Sequence, residues 1–412
     1  MSTRADAEAL DAADPLAAFR ERFVIDDPET IYLDGNSLGR LPISTRGRIG
    51  EIAGEWGSRL VTGWHDWIDL PRRVGDLLAD HVLGARPGEV IACDSTTVNL
   101  HKLASALLEG APGAIVTDRG NFPTDRYVLD GLARAQGSEL RLFESDPQEG
   151  PTAEDVTRAC AAGDVALVCL SQVAYRSGAL ADVERITRES PAPVIWDLSH
   201  SAGAVVIELG EWGVEAAVGC TYKYLNGGPG APAYLYVAGH RQAGLRTSIQ
   251  GWFGQRDQFA MERDYDPEPG IGAFLAGTPP ILGLAAVEES VRLTADAGIE
   301  AIAAKARDLT SLALELCDEW LAPLGFELAT PRDPERRGAH VSLRHGEAWP
   351  ITRALIERAK VIPDFRAPDS IRLGLAPLYT RFVDVHDALD RLRALVARGE
   401  QRDFAGAPEG VT

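Results

Sequence analysis

The sequence lacks the features that mark secreted, disulfide-bonded and membrane-spanning proteins. It has only 5 cysteines among 412 residues, and no two of them form a Cys-x-x-Cys pair, so we expect buried free thiols in a reducing compartment. No apolar run approaches the ~18 residues that a membrane-spanning helix needs, so we expect no membrane span. The first ten residues are polar and charged without an apolar core, so we expect no secretion signal either.

Basic residues are scarce as well. Lysine and arginine number 41 against 61 aspartates and glutamates, which gives a formal net charge of −20. An acidic surface repels phosphate backbones, so nucleic-acid binding is not expected. No group of histidine, cysteine and acidic residues has the spacing of a metal site, so no metal is predicted. The remaining composition, with 45% hydrophobic and 25% charged residues, is typical of a globular protein, and we expect a cytoplasmic one.

The hydrophobic pattern changes along the chain, which is long enough for two domains. Short apolar runs alternate with helical patterns from about residue 90 to 237, which predicts an α/β fold with a mostly parallel central sheet flanked by helices. Longer helices and few short strands follow, which predicts a smaller C-terminal α+β domain. We predict an N-terminal segment at 1–45 that packs with the small domain, a large cofactor-binding domain at 46–282 and the small domain at 283–412. An amphipathic helix is expected at about 15–23.

One lysine stands out because of its surroundings. Lys223 lies in a polar, glycine-rich turn, and Asp197 ends an apolar strand upstream of it. A pyridoxal phosphate (PLP) enzyme needs such a pair, because the lysine amine forms a Schiff base with the cofactor and the carboxylate pairs with the protonated pyridine nitrogen. The two residues therefore predict a PLP site.

Other side chains follow predicted strands at the same edge of the sheet, where ligands bind in open α/β folds. Thr96 and Thr97 lie directly before a helix predicted from Val98, and they form either a phosphate cup or a plain helix cap. Phe122 either stacks on the pyridine ring or packs in the core, and Asp125 either hydrogen-bonds nearby or caps the next helix. Ser171 ends the next predicted strand at the same edge.

Two residues have roles that depend on their neighbours. His200, three residues after Asp197, either hydrogen-bonds the cofactor, holds Asp197 in place or caps a helix. Arg372 lies on a short strand late in the chain, where its guanidinium suits bidentate binding of an amino-acid carboxylate or a surface ion pair. Their assignment requires more than local pattern.

Seven motifs occur in the order found in one enzyme family. They are Tyr32–Gly39, Thr97–His101, Asn121–Asp125, Trp196–His200, Tyr222–Asn226, Gly251–Gly254 and Thr278–Pro280. Together they make the chain resemble kynureninase from about residue 30 to 380. The resemblance implies a PLP enzyme of fold type I, the aspartate-aminotransferase-like fold, that acts as a homodimer with composite active sites.

The resemblance also implies roles for individual residues. Lys223 corresponds to the Schiff-base lysine, Asp197 to the partner of the pyridine nitrogen and Phe122 to the ring-stacking residue. The other implied cofactor contacts are Thr96, Thr97, Asp125, Ser171, His200, Tyr222, Trp252 and Thr278, of which Trp252 and Thr278 reach across the dimer. The implied substrate-binding residues are Asn36, Trp64 and Arg372, and Arg372 holds the substrate carboxylate.

The implied reaction is the hydrolysis of L-kynurenine to anthranilate and L-alanine in tryptophan degradation, with 3-hydroxykynurenine as a weaker substrate. Lys223 would move a proton from the substrate Cα to the cofactor, and Tyr222 would pass protons to the carbonyl oxygen or the departing fragment. Trp64 together with Gly277 and Thr278 resembles the bacterial members, which favour kynurenine. The preference among substituted kynurenines and the pathway served stay open.

Two alternative protein classes predict other residues than those found here. A class V aminotransferase or cysteine desulfurase would carry Ser-x-His-Lys, whereas Cys220-Thr-Tyr-Lys223 stands here, and Cys317 lies in a helical pattern instead of a mobile loop. A non-catalytic binding module of the same fold would be expected to lose Lys223, Asp197 or Arg372, and the chain retains all three. Both alternatives are disfavoured by the residues present.

Overall fold

The computed structural model describes residues 3–261, 263–404 and 406. The α-helices are α1 Arg4–Ala13, α2 Ile43–Arg59, α3 Trp64–Trp67, α4 Leu70–His81, α5 Thr96–Leu107, α6 Pro123–Gln136, α7 Ala153–Ala159, α8 Val183–Glu189, α9 Gly239–Gln242, α10 Ile281–Ala297, α11 Ile299–Leu316, α12 Ala348–Ala359 and α13 Phe382–Arg398. The strands are β1 Ile31–Tyr32, β2 Val90–Ala92, β3 Ala114–Asp118, β4 Leu140–Phe143, β5 Val165–Ser171, β6 Val194–Asp197, β7 Ala216–Gly219, β8 Tyr234–Val237, β9 Glu327–Leu328, β10 His340–Arg344, β11 Val361–Ile362, β12 Asp364–Arg366 and β13 Ser370–Gly374. Short 3-10 helices lie at Ala17–Arg22, Leu60–Gly63, Trp252–Gly254, Gly270–Phe274, Ala322–Leu324, Pro334–Arg336 and Glu400–Phe404, and a π-helical turn at Cys317–Leu321.

A seven-stranded sheet forms the centre of the fold, in the order β2-β8-β7-β6-β5-β3-β4. All neighbouring pairs are parallel except those of β8, which runs antiparallel to both β2 and β7. Alternate residues of each strand enter different hydrophobic clusters, since successive side chains point to opposite faces. In β5, for example, Val168 and Leu170 pack with α4 and α10 on one face, while Leu167 and Cys169 pack with α5 and α6 on the other. The predicted mostly parallel sheet flanked by helices is confirmed.

The C-terminal part of the chain has a separate antiparallel sheet in the order β12-β13-β10-β9. Its hydrophobic cluster also takes in α11, α12 and α13. The N-terminal part of the chain joins this unit, because α1 packs on α13 and β1 pairs in parallel with β11. The predicted boundaries at 45/46 and 282/283 stay a prediction.

Local signals explain where the helices differ from the sequence prediction. The expected amphipathic helix at 15–23 is a 3-10 helix at Ala17–Arg22, and an α-helix lies earlier, at Arg4–Ala13. Thr3 and Asp6 form a capping box at the start of α1, a signal that a search of the sequence for helix caps would have found. The helix α4 was not predicted, and all five cysteines are buried and unpaired. No helix in the described residues is long and apolar enough to span a membrane.

The loop after β1 packs against the loop that carries Lys223, and one glycine permits the contact. The backbone N–H of Gly39 donates to the carbonyl of Tyr222 at 2.8 Å. A Cβ on Gly39 would lie 2.3 Å from the Lys223 carbonyl oxygen and 2.4 Å from the Asn226 side-chain oxygen. These distances are far inside van der Waals contact, so the two loops approach this closely only with glycine at this position.

We expect Gly39→Ala to lower the free energy of unfolding by about 2 kcal/mol or more and to displace the Lys223 loop. Gly131→Ala is the matched control, because a Cβ on this exposed glycine in α6 meets no atom within 4 Å. The control should stabilise the protein by about 0.5–1 kcal/mol through helix propensity. Urea unfolding monitored by circular dichroism measures both, and equal stabilities for the two variants would contradict this account of the loop contact.

Candidate active site

A cavity of about 220 Å³ opens where the parallel strands of the central sheet end. Its lining residues are Asp94, Ser95, Thr96, Thr97, Phe122, Thr124, Asp125, Asp197, Ser199, His200, Tyr222, Lys223, Gly230, Ala231 and Ala233. The fold brings these together because β2, β3, β6 and β7 end at one edge, and each is followed by a loop or helix start that faces the cavity. Eight of the residues singled out from the sequence meet here: Thr96, Thr97, Phe122, Asp125, Asp197, His200, Tyr222 and Lys223.

The amine of Lys223 is buried in this cavity, with 8% of the residue exposed. Its Nζ lies 3.0 Å from Nε2 and 3.4 Å from Nδ1 of His200, and 5.8 Å from the centre of the Phe122 ring. Burial lowers the pKa of Lys223 from its ordinary value, because a charged amine loses its hydration there. Burial and the Lys223 charge also lower the pKa of His200 well below its usual range. A neutral imidazole thus faces an amine that gives up its proton readily, as a nucleophile requires.

Two carboxyl groups lie side by side on the opposite wall. The Ser199 backbone N–H donates to Oδ1 of Asp197 at 2.8 Å. Burial and the neighbouring Asp197 raise the pKa of Asp125 well above its usual range, because a buried carboxylate beside another acidic group is disfavoured. Oδ2 of Asp125 is buried without a hydrogen-bond partner among the described residues. Two neighbouring carboxyl groups, one of them with an unused polar atom, fit the protonated ring nitrogen of PLP.

The start of α5 forms the other end of the cavity. Ser95 is the N-cap, and its Oγ accepts a hydrogen bond from the Val98 N–H at 3.4 Å. Thr96 and Thr97 are the first two helical residues and line the cavity. Because Ser95 supplies the cap, the two threonines are not needed for it, and their hydroxyls stand at the positive end of the helix. This arrangement favours the phosphate cup over the plain helix cap.

Six of the predicted cofactor and substrate contacts do not line this cavity in the described part of the chain: Asn36, Trp64, Ser171, Trp252, Thr278 and Arg372. Ser171 donates to Oδ1 of Asn121 at 2.6 Å, so it supports the loop before Phe122. Trp64 is half-buried against Trp67 and Phe253, and both Trp252 and Thr278 are exposed on the surface of the single chain. The cofactor and substrate roles of these residues stay predictions.

Arg372 is not on the surface but almost completely buried, in an ion pair with Asp364. The two residues face each other across the antiparallel strands β13 and β12, and both side chains are 1% exposed. The guanidinium also donates to the Tyr175 carbonyl and to Ser37 Oγ, the latter at 3.4 Å. In the amide orientation that its neighbours favour, the Asn36 oxygen accepts from Arg372 at 3.2 Å. The two predicted substrate-binding residues, Asn36 and Arg372, are therefore in contact.

Sequence reasoning missed three charged or polar residues near this network. Asp364 could have been found from the register of a predicted β12–β13 hairpin, which sets it opposite Arg372. Asp34 is buried, and burial together with Asp364 raises its pKa to about 7. The ring of His340, on β10, lies 5.8 Å from that of His200 and has no hydrogen-bond partner for either nitrogen among the described residues. Asp34 lies inside the Tyr32–Gly39 motif, although the motif alone implied no role for it, and no local signal in the sequence marked His340.

Comparisons with known proteins identify the family. The sequence model described as the kynureninase C-terminal domain matches residues 302–392. The kynureninase of Pseudomonas fluorescens is 43% identical over 97% of this chain and 96% of its own. The chain belongs to the kynureninase family. The family, the enzyme class and the PLP cofactor predicted from the motifs are thereby confirmed.

Solved structures similar to this member of the kynureninase family share its fold at low sequence identity. A C-DES mutant with glycine covalently linked to the PLP cofactor has a TM-score of 0.78 at 16% identity, covering 89% of this chain and 97% of its own. A cysteine desulfurase from Thermococcus onnurineus has a TM-score of 0.77 at 18% identity, covering 95% and 98%. At such identities the likeness concerns the fold alone. The kynureninase relatives, similar over the whole length, decide against the desulfurase alternative.

The prediction that the Tyr222 hydroxyl delivers a proton during C–C cleavage implies that Tyr222→Phe lowers kcat about 100-fold or more, while PLP stays bound to Lys223. The matched control is Tyr224→Phe in the same loop, since the buried Tyr224 hydroxyl has no hydrogen-bond partner among the described residues. Turnover and the visible spectrum of the lysine-bound cofactor are measured for both variants. Parallel loss of the spectrum and the rate in Tyr222→Phe would show that Tyr222 is merely structural.

Proposed function

We propose that this chain hydrolyses L-kynurenine to anthranilate and L-alanine at the cavity around Lys223. The observation that carries the proposal is a buried Lys223 amine with a lowered pKa, next to His200 and in one cavity with Asp125 and Asp197, in a chain of the kynureninase family. The alanine product requires a group that accepts electrons when the Cβ–Cγ bond breaks. Bound PLP supplies that electron sink.

Residues on three walls of the cavity would hold the cofactor. Lys223 binds it covalently through Nζ, and Asp197 pairs with the ring nitrogen. Phe122 stacks on the ring, and its own ring is braced edge-on by Tyr175 at 5.2 Å between centroids. Thr96 and Thr97 bind the phosphate at the start of α5. All of these residues line the same cavity, so one cofactor would contact all of them.

Two side chains would move protons during the reaction. Lys223, whose amine is neutral in part because of its burial, takes the proton from the substrate Cα. The neighbouring Cys220 thiol and burial raise the pKa of Tyr222, so its hydroxyl keeps its proton at neutral pH. A protonated Tyr222 is suited to donate to the carbonyl oxygen or to the departing aromatic fragment. Water is the nucleophile that adds to the γ-carbonyl.

Substrate recognition would rest on charge at one end and shape at the other. Arg372, fixed by Asp364 and in contact with Asn36, offers a positive charge for the substrate carboxylate. Trp64 is a candidate for crowding the 3-hydroxyl of hydroxylated kynurenine.

The cysteines, buried and unpaired, support the predicted cytoplasmic location, because free thiols persist in reducing compartments.

We further propose a homodimer with composite sites. Trp56, Leu60 and Val61 are 62%, 64% and 76% exposed, and with Trp64 and Leu282 they line an open apolar groove of about 530 Å³. Exposed apolar clusters of this kind mark protein–protein contacts. Trp252 and Thr278, which the family motifs place at the cofactor, also lie on the surface of the single chain. A second copy seated on this face would explain both observations.

The substrate test compares L-kynurenine with 3-hydroxy-L-kynurenine as substrates of the PLP-loaded enzyme. We expect anthranilate and alanine from kynurenine with a kcat/KM about tenfold or more above that for the hydroxylated substrate, since a poorly fitting group in a pocket costs ~1–3 kcal/mol. Aromatic product and alanine are quantified separately. A preference for the hydroxylated substrate would contradict the role given to Trp64, and no product from either would contradict the proposed reaction.

The dimer test introduces a charge into the apolar groove. We expect Leu60→Glu to yield monomers that lose most of their activity, because a buried unpaired carboxylate opposes association and the composite site needs both copies. Leu10→Glu on α1, a leucine 42% exposed on another surface, is the control and should stay dimeric. Light scattering after gel filtration gives the mass. An unchanged dimer in Leu60→Glu would refute this face as the interface.

A further inference from the structure

A second lysine, Lys102, is buried beside the cavity and takes no part in the proposed reaction. It lies on α5, and its side chain is 0% exposed. Its Nζ lies 2.6 Å from Oδ2 of Asp94, 2.5 Å from the Phe274 carbonyl oxygen and 3.4 Å from Sγ of Cys93. A buried ammonium requires such a full set of acceptors, because it has lost its water.

Among these acceptors, Asp94 carries the only formal negative charge. The Phe274 carbonyl is neutral, and burial raises the pKa of Cys93 to about 11, so its thiol keeps the proton at neutral pH. The positive charge of Lys102 is therefore balanced by one carboxylate, that of Asp94. Among the described residues, Lys102 is likewise the cation that contacts Asp94. The pair is a unit with no net charge.

Asp94 stands at the phosphate end of the cavity. It lines the cavity together with Ser95, Thr96 and Thr97, and 31% of its side chain is exposed to it or to solvent. Its backbone has φ +47, the left-handed region, and its carbonyl accepts from the Ala233 N–H at 2.9 Å. The turn before α5 is thus held in place, and it leaves the Asp94 carboxylate at the end of the cavity where the phosphate of PLP is expected.

We propose that Lys102 is a positioning residue of the cofactor site, which neutralises Asp94 and holds it back so that the start of α5 accepts the phosphate of PLP. This inference rests on the proposed function, since it takes the phosphate to bind at Thr96 and Thr97. Without the ammonium, an unpaired carboxylate would repel a phosphate carrying almost two negative charges at short range. The positive end of the helix would then be offset by its own preceding residue.

The test titrates cofactor-free protein with PLP and with pyridoxal, which lacks the phosphate. We expect Lys102→Met to raise the Kd of PLP about tenfold, because the unpaired Asp94 carboxylate would then repel the phosphate that binds beside it. Its Kd for pyridoxal should change less than about threefold, because only the phosphate meets the charge of Asp94. Equal losses for both ligands would show a merely structural role and overturn the proposal.

Two further variants separate charge from folding. The double variant Asp94→Asn with Lys102→Met removes both charges, and asparagine tolerates the left-handed backbone, so PLP affinity should return to within about threefold of the wild type. Lys305→Met is the matched control, because Lys305 is also buried and lies 2.6 Å from Asp14, away from the cavity. It should lose stability but keep its PLP affinity.

The outcomes distinguish this inference from the proposed function. If the wild type binds PLP and hydrolyses kynurenine but Lys102→Met binds PLP as tightly, only the inference fails. If the double variant binds PLP no better than Lys102→Met, the charge argument also fails. If the wild type itself does not bind PLP, the proposed function fails along with the inference.

Discussion

Burying the amine of Lys223 at the ends of the central strands imposes conditions on every group around it. A charged amine loses hydration there, so its pKa falls, and the adjacent His200 stays neutral for the same reason. The pKa of Asp125 rises, because burial and the neighbouring Asp197 disfavour a second negative charge in the same site. Burial is thus the main cause of the pKa shifts of Lys223, His200 and Asp125. The lowered pKa of Lys223 favours the neutral amine, which is the form that reacts.

Two other charged side chains near the cavity, Arg372 and Lys102, are each paired with a carboxylate. Arg372 is matched by Asp364 across two antiparallel strands, and Lys102 by Asp94 at the start of α5. The Arg372–Asp364 pair is buried on both sides and Lys102 is buried on its own side, and removing the partner of a buried charge costs more than the pair contributes. The consequence is that the Arg372 guanidinium, which we propose binds the substrate, and the start of α5, which we propose binds phosphate, are each fixed by a charged partner.

The central sheet and the chemistry at its edge follow from patterns that are local in the sequence. Alternating apolar runs indicated β2 to β8, and polar residues directly after them, such as Asp197 and Lys223, indicated the cofactor edge, because parallel strands end at the same side. The α-helix at Arg4–Ala13 was not predicted, although Thr3 and Asp6 form a capping box at its start. The residues missed at the site, Asp34, His340 and Asp364, lie on other elements and reach it only through long-range packing.

The sequence by itself determined the family and the cofactor and predicted the residues proposed to carry the chemistry, because those depend on residue type and order along single strands and turns. The tertiary structure alone decided that Arg372 is buried against Asp364, that Ser171 supports a loop instead of lining the cavity, and that Lys102 reaches Asp94 and Phe274. Burial and pairing are sums over neighbours that are distant in sequence, and a one-dimensional pattern does not contain those sums.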